Sequence, residues 1–199
     1  MSELFTIGHS NYDIAHFIYL LQLYHIDYLL DVRSTPYSKY VEQFNREYLA
    51  SALGRINIQY FFMGGFFGAR LHNPALYDDG CLNFEKVRET PKFQKGMENV
   101  LLGFRQKHRI VLMCSEKHPF DCHRAILIAR AFALKNIFAK HIMPDGNIFL
   151  QQELDSFLLQ KYFPNRNQLT LFTEDFEMDE YYYLNKAYKL RNKEIGHHI

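Results

Sequence analysis

The sequence predicts an α/β protein in three layers, with a mostly parallel central sheet of about five strands flanked by helices. Two observations carry that prediction. Short apolar runs alternate with segments of helical periodicity, the β-α-β rhythm of a parallel sheet. The run Arg109–Cys114 (RIVLMC) is almost wholly apolar, as suits a central strand covered on both faces.

The elements follow in order. Leu4–Ile7 is a strand that stops at Gly8-His9-Ser10. Ser10 to Asp13 has capping-box spacing ahead of a helix with Ile14, Phe17, Ile18 and Leu21 on one face. Tyr28-Leu29-Leu30-Asp31-Val32-Arg33 is the second strand, broken by Ser34-Thr35-Pro36. Residues 34–44 read as a loop and Phe44 to Leu53 as a helix, with Gly54 placed to terminate it. Ile58–Phe62 is a third strand, ended by Gly64-Gly65. The stretch from Phe66 to Phe84 holds Gly, Asn, Pro and Asp without a period and reads as an excursion or lid. A helix over Phe93–Arg105, the strand Arg109–Cys114, a helix over residues 122–134 and a strand at Phe138–Ile142 complete the alternation. Residues 148–163 read as one more amphipathic helix. One α/β domain over residues 1–173 is expected, with an extension over 174–199 that is acidic, then tyrosine-rich, then basic.

Composition narrows the class of protein. The 199 residues are 48% hydrophobic, enough to fill a sizeable core. No stretch approaches the ~18–20 uninterrupted apolar residues of a membrane span. The start, MSELFTIGHS, lacks the basic and apolar regions of a secretory signal. Cys81, Cys114 and Cys122 are too few, and odd in number, for a secreted disulfide framework. A soluble, cytoplasmic protein is therefore expected. The net charge of +1 provides no global field for nucleic acid, so such binding would need a local basic patch. Rings are abundant, with 14 Tyr and 18 Phe, and suit either core packing or a stacking platform for bases.

Ligands of an open parallel sheet bind beyond the carboxyl ends of its strands. His9 and Ser10, Asp31 and Arg33, Gly64 and Gly65, and Cys114, Ser115 and Glu116 all leave strands at that edge. The segment from Cys114 to Arg124 joins the most strand-like run to a clear helix, which Asp121 is placed to cap. Cys122 would then lie in the first helical turn, where free N–H groups favour a thiolate. Arg124 is placed to meet a phosphate or carboxylate, and His123 to move protons near neutral pH. Arg70, in the excursion, is a second candidate anion contact. Structural roles stand beside these. Cys114 suits core packing, Arg124 suits an internal pair with Asp31 or Glu116, and His9 suits a loop anchor.

Cys114, His118, Cys122 and His123 are ligand types for zinc, but their spacing matches no common structural zinc pattern. No metal and no cofactor are expected.

Thr6-Ile7-Gly8-His9-Ser10-Asn11, then Asp31-Val32-Arg33-Ser34 with Pro36, then Leu112-Met113-Cys114 with Glu116, Pro119 and Cys122-His123-Arg124 resemble the "domain of unknown function 488" family. The resemblance runs in order from about residue 4 to residue 173. It implies a compact α/β domain and carries no activity with it. His118 lies off the family pattern, and Phe66 stands where the family has an Arg after the paired glycines, with Arg70 as a substitute. The family-like positions are His9, Ser10, Asp31, Arg33, Glu116, Cys122, His123 and Arg124.

The leading expectation is an enzyme, or a protein descended from one, that binds an anionic ligand such as a nucleotide or a nucleic-acid phosphate. His9, Asp31, Glu116, Cys122 and His123 would be its catalytic groups, and Ser10, Arg33, Arg70 and Arg124 would hold the ligand. A non-catalytic module is the rival, reading nucleic acid or a protein partner through residues 174–199 with Lys186, Lys189, Arg191 and Lys193 on phosphates. Thiol-dependent redox or sulfur transfer through Cys122 or Cys114 is the third reading.

Overall fold

The computed structural model describes residues 3–166 and 179–199; the acidic run Glu174 to Met178 lies outside them. Its centre is a six-stranded sheet. The strands are β1 (Glu3–Gly8), β2 (Tyr28–Asp31), β3 (Gln59–Phe62), β6 (Arg109–Cys114), β7 (Lys140–Ile142) and β8 (Ile148–Leu150), in the order β3-β2-β6-β1-β7-β8. All neighbours run parallel except β7 and β8. The two short strands β4 (Tyr77–Asp78) and β5 (Cys81–Leu82) form a separate antiparallel pair. The expected α/β class, with a mostly parallel sheet between helices, is thus observed.

Side-chain alternation along the strands builds the layers. Phe5, Ile7, Leu29, Val111, Met113 and Ile142 point to one face, where α1 (Ile14–Leu23) and α2 (Arg46–Gly54) cover them with Phe17, Leu20, Leu21, Leu49 and Leu53. Leu4, Leu30, Ile110, Leu112 and Cys114 point to the other. That face is covered by α4 (Phe84–Glu89), α5 (Pro91–Arg105), the helix through residues 124–133 and α7 (Gln151–Tyr162). The strand β6 lies between β1 and β2 and is buried from Ile110 to Cys114, as its apolar run predicts.

Several local expectations are corrected. The cap of α1 is Asp13, which accepts from the Ala15 N–H at 3.1 Å; Ser10 instead adopts a left-handed backbone with φ of 47°. The turn that Asp121 was to cap is not helical. Residues Pro119–Asp121 form a single 3-10 turn, and the extended Cys122 precedes the helix, its carbonyl accepting from Ala125 and Ile126. The helix opens as a π-turn over Arg124–Ala129 before α6 (Arg130–Ala133). The amphipathic stretch after Asn147 splits into the strand β8 and the helix α7, because its first residues pair with β7. The excursion after β3 holds a short helix, α3 (Gly64–Phe67), in which Phe67 is fully buried.

Residues Glu180–Ile195 form α8, capped by Asp179 and packed along α7. Arg191 is buried there; its Nε donates to the Phe120 carbonyl at 2.7 Å and its guanidinium pairs with Asp121 and Glu194. Asn192 donates to the Leu82 carbonyl and accepts from the Phe84 N–H. Beyond the helix, backbone bonds link His197 to Leu82 and Ile199 to Gly80, so this segment lies along β5. Among the described residues no helix is long and apolar enough to cross a membrane.

Candidate functional site

The strand-end residues named from the sequence lie in two hydrogen-bonded groups, and Arg33 of the first lines the same cleft as Cys114, Glu116 and His123 of the second. The first group is built around Asp31, the last residue of β2, which is fully buried. It accepts from Arg33 through Nε at 2.9 Å and Nη2 at 2.6 Å, and from the Tyr60 hydroxyl at 2.7 Å. Arg33 also donates to the Phe44 carbonyl at 2.8 Å. His9 stacks on the Phe44 ring, with 4.4 Å between centroids. Its Nδ1 donates to the Ser10 carbonyl at 2.7 Å, which leaves Nε2 to accept from Arg33 at 3.1 Å. Burial and the Arg33 charge hold the His9 pKa down to about 4, so the ring is neutral at pH 7. His9 and Asp31, both expected among the catalytic groups, are thus tied into one buried hydrogen-bonded set with Arg33. Burial, together with the Asp31 charge, pushes the Tyr60 phenol well above its ordinary value. The Ser10 N–H donates to the Ser115 carbonyl at 2.9 Å, while its hydroxyl donates to the neighbouring Asn11 Oδ1 at 3.4 Å.

The second group surrounds the loop between β6 and the following helix. Arg124 is fully buried. Its guanidinium donates to the Glu116 carbonyl at 2.5 Å, to the Lys117 carbonyl at 3.1 Å and to the Thr6 hydroxyl at 3.4 Å. Arg124, expected to meet an anion, here fastens the loop through the Glu116 and Lys117 carbonyls. Gly8 makes the close approach possible, since a Cβ there would stand 1.8 Å from the Glu116 carbonyl oxygen. With the loop held in this way, Cys114, Glu116, Cys122 and His123 converge. The Cys122 sulfur lies 2.9 Å from the Glu116 carboxylate and accepts from the Arg124 N–H at 3.4 Å. The Nδ1 of His123 lies 3.7 Å from the Cys114 sulfur and 3.9 Å from that of Cys122. Its Nε2 lies 3.1 Å from the Val32 carbonyl oxygen.

Burial raises the Cys114 thiol well above its ordinary value, and the nearby Cys122 and Glu116 add to that rise. Burial acts the same way on Cys122, but the contact with Cys114, the Arg124 charge and His123 outweigh it and bring that thiol well down. Glu116 is exposed as a residue, but its carboxyl end is crowded by the loop, and this local desolvation, reinforced by Cys122, raises its pKa. For His123 burial lowers the pKa, and the Cys122 sulfur and Glu116 more than offset it.

A cleft of about 580 Å³ opens over the second group. Cys114, Glu116 and His123 lie at its floor, Arg33, Ser34, Thr35, Tyr37 and Ser38 along one wall, and Arg70 on the excursion. His197 and His198 close the opposite side. Arg70 is exposed and makes no ion pair among the described residues; its backbone N–H donates to the Ser34 hydroxyl at 3.0 Å. Asp121 also lines the cleft, paired with Arg191. His118 points elsewhere and stacks on Phe120 with 5.2 Å between centroids, so it leaves the set of metal-ligand types and Glu116 enters it. His197 and His198 escaped sequence reasoning: they follow the last helix and belong to no motif. The basic residues of the tail are largely engaged, Lys189 with Glu85, Arg191 with Asp121 and Glu194, and Lys186 over the Tyr182 ring.

The class of protein is α/β, a mostly parallel mixed sheet of six strands with helices packed on it. The chain belongs to the DUF488 family, a domain of unknown function, whose profile matches residues 13–131. That span takes in Asp31, Arg33, Arg70, Cys114, Glu116, Cys122, His123 and Arg124 but not His9, Ser10 or the two terminal histidines, and it is shorter than the resemblance read from the sequence. No curated protein and no solved structure matches the chain.

Proposed function

We propose that the protein is an enzyme, or is derived from one, and that its cleft takes an anionic ligand of the nucleotide or nucleic-acid phosphate class. One observation carries the reading. The Arg70 guanidinium, free of any ion pair among the described residues, lines the same cleft as the hydroxyl-bearing wall Ser34, Thr35, Tyr37 and Ser38 and the reactive groups Glu116 and His123. Hydroxyls and a guanidinium are the donors that phosphate oxygens accept from, and a cleft with convergent polar groups is where ligands are held. Arg33 contributes to this wall while its charge is balanced by Asp31. Arg124 supports the floor from beneath.

Calorimetric titration with nucleoside mono- and triphosphates and a short single-stranded oligonucleotide tests the reading. Arg70→Ala is expected to weaken binding roughly ten- to a hundredfold, the range of one charge-assisted contact. Equal affinity in the parent and Arg70→Ala, or no binding to any of these probes, sinks it.

A further inference from the structure

We propose that Cys114, Cys122, His123 and Glu116 form a zinc site at the floor of the cleft. One donor atom from each residue lies within 4.8 Å of the other three. The imidazole already stands at ligand spacing from both sulfurs, at 3.7 and 3.9 Å. Bonds of about 2.3 Å to sulfur and about 2.0 Å to nitrogen, opened at a tetrahedral angle, separate those atoms by about 3.5 Å. Glu116, 2.9 Å from the Cys122 sulfur, is closer than a shared ion requires and moves out to admit one, which its exposed position on the loop permits.

An independent observation points to a ligand. The Nε2 of His123 donates to the Val32 carbonyl, so the Nδ1 lone pair faces the two sulfurs. This outer hydrogen bond is how metal-bound histidines are held in the ligating tautomer. The frame is rigid on both sides. Cys114 closes the central strand, Cys122 and His123 lead into the helix behind it, and Arg124 fastens the loop between them at the carbonyls of Glu116 and Lys117.

The donor set also selects the ion. Two sulfurs and an imidazole suit zinc, whereas magnesium and calcium prefer all-oxygen shells. Two cysteines and one histidine with a replaceable fourth ligand is an arrangement used where zinc acts on a substrate. Glu116, the exposed member of the set, is that fourth ligand. The assignment is independent of the anionic ligand and gives the family-like cysteines and histidine a common purpose.

The test uses the full chain, purified reduced and without chelator, loaded with zinc, dialysed and analysed for metal. About one tightly held zinc per chain is expected. Cobalt(II) in its place gives the intense visible bands of a tetrahedral ion and a near-ultraviolet sulfur-to-cobalt band. Cys122→Ser and His123→Gln each weaken zinc binding by at least about tenfold. Because Cys122 is buried and His123 half-buried, X-ray absorption of the unaltered zinc-loaded chain is the second measure, with sulfur neighbours expected from Cys114 and Cys122. Far less than one zinc per chain, or a zinc shell without sulfur, overturns the site. Arg70-dependent phosphate binding by a chain that holds no zinc removes the metal site alone; stoichiometric zinc without phosphate binding upholds it and removes the anionic ligand alone.

Discussion

Asp31 and Arg33, two residues apart at the end of β2, form a two-pronged ion pair in which the carboxylate is wholly buried and both of its oxygens accept from the guanidinium. Removing one partner of such a pair leaves the other charge buried and unmatched, at a cost of about 3–5 kcal/mol. Asp31→Ala and Arg33→Ala are each expected to lose stability in that range by guanidinium unfolding. The double variant is expected to lose clearly less than the sum, since each single change leaves the same interaction broken.

Arg124 and Arg70 are expected to behave oppositely. Arg124→Ala opens a cavity and leaves the Glu116 and Lys117 carbonyls without their donor, so a loss of about 3 kcal/mol or more is expected. Arg70→Ala touches an exposed side chain and is expected to stay within about 0.5 kcal/mol of the parent. Thermal melts of the two variants beside the parent decide the point. Equal melting temperatures would remove the clamp role from Arg124.

Gly8→Ala is expected to cripple the loop without altering any chemical group. Its new Cβ collides with a backbone carbonyl, which has no rotamer by which to move aside. Proteolysis of the segment from Ser115 to Asp121 reads the effect directly, and faster cleavage than in the parent is expected.

Stability is expected to fall as pH drops from about 6.5 towards 5, with His141 as one identifiable source. Burial and the Arg124 charge hold the His141 pKa down to about 3, against 6.5 for an ordinary histidine. The folded chain therefore stays neutral there while the unfolded chain takes up a proton. The stabilisation is complete above the unfolded pKa and is lost towards the folded one, at up to about 1.4 kcal/mol per pH unit. His9 acts in the same sense, and His123, whose pKa is raised, in the opposite one. The useful measurement is thus a comparison: urea unfolding of His141→Gln is expected to show a shallower pH slope than the parent between pH 5 and 7. Identical slopes would rule His141 out.

Arg191→Ala is expected to loosen α8 from the body of the domain. The variant loses the contacts to Asp121, Glu194 and the Phe120 carbonyl, all made by one side chain at the edge of the cleft. Hydrogen exchange in residues 180–199 should speed up while β6 remains as protected as before.

The fold was largely legible because periodicity and burial agree in this chain. The run Arg109–Cys114 announces a central strand, and the alternation along β1 matches its two faces. The strand β8 escaped notice because its few residues run straight into a helix, and a strand that short has no period of its own. The edge at which polar residues gather was legible from strand ends alone. Their partners were not. Arg124 is held by backbone carbonyls, which leave no mark in a sequence, and an arginine bound for such acceptors looks the same as one awaiting a phosphate. The exchange of His118 for Glu116 beside the cysteines follows from the path of one loop, which residue spacing does not encode.

The position of β6 has a consequence for how the chain comes together. Its two partners, β1 and β2, both lie within the first 31 residues, yet they never touch each other in the sheet. Until residues 109–114 insert between them, both offer bare hydrogen-bonding edges, so a chain still lacking this segment is a candidate for self-association. The same insertion carries Cys114 to the floor of the cleft. Assembly of the sheet and birth of the site are one event, and a slow folding phase that buries β6 should appear together with the arrival of the cleft.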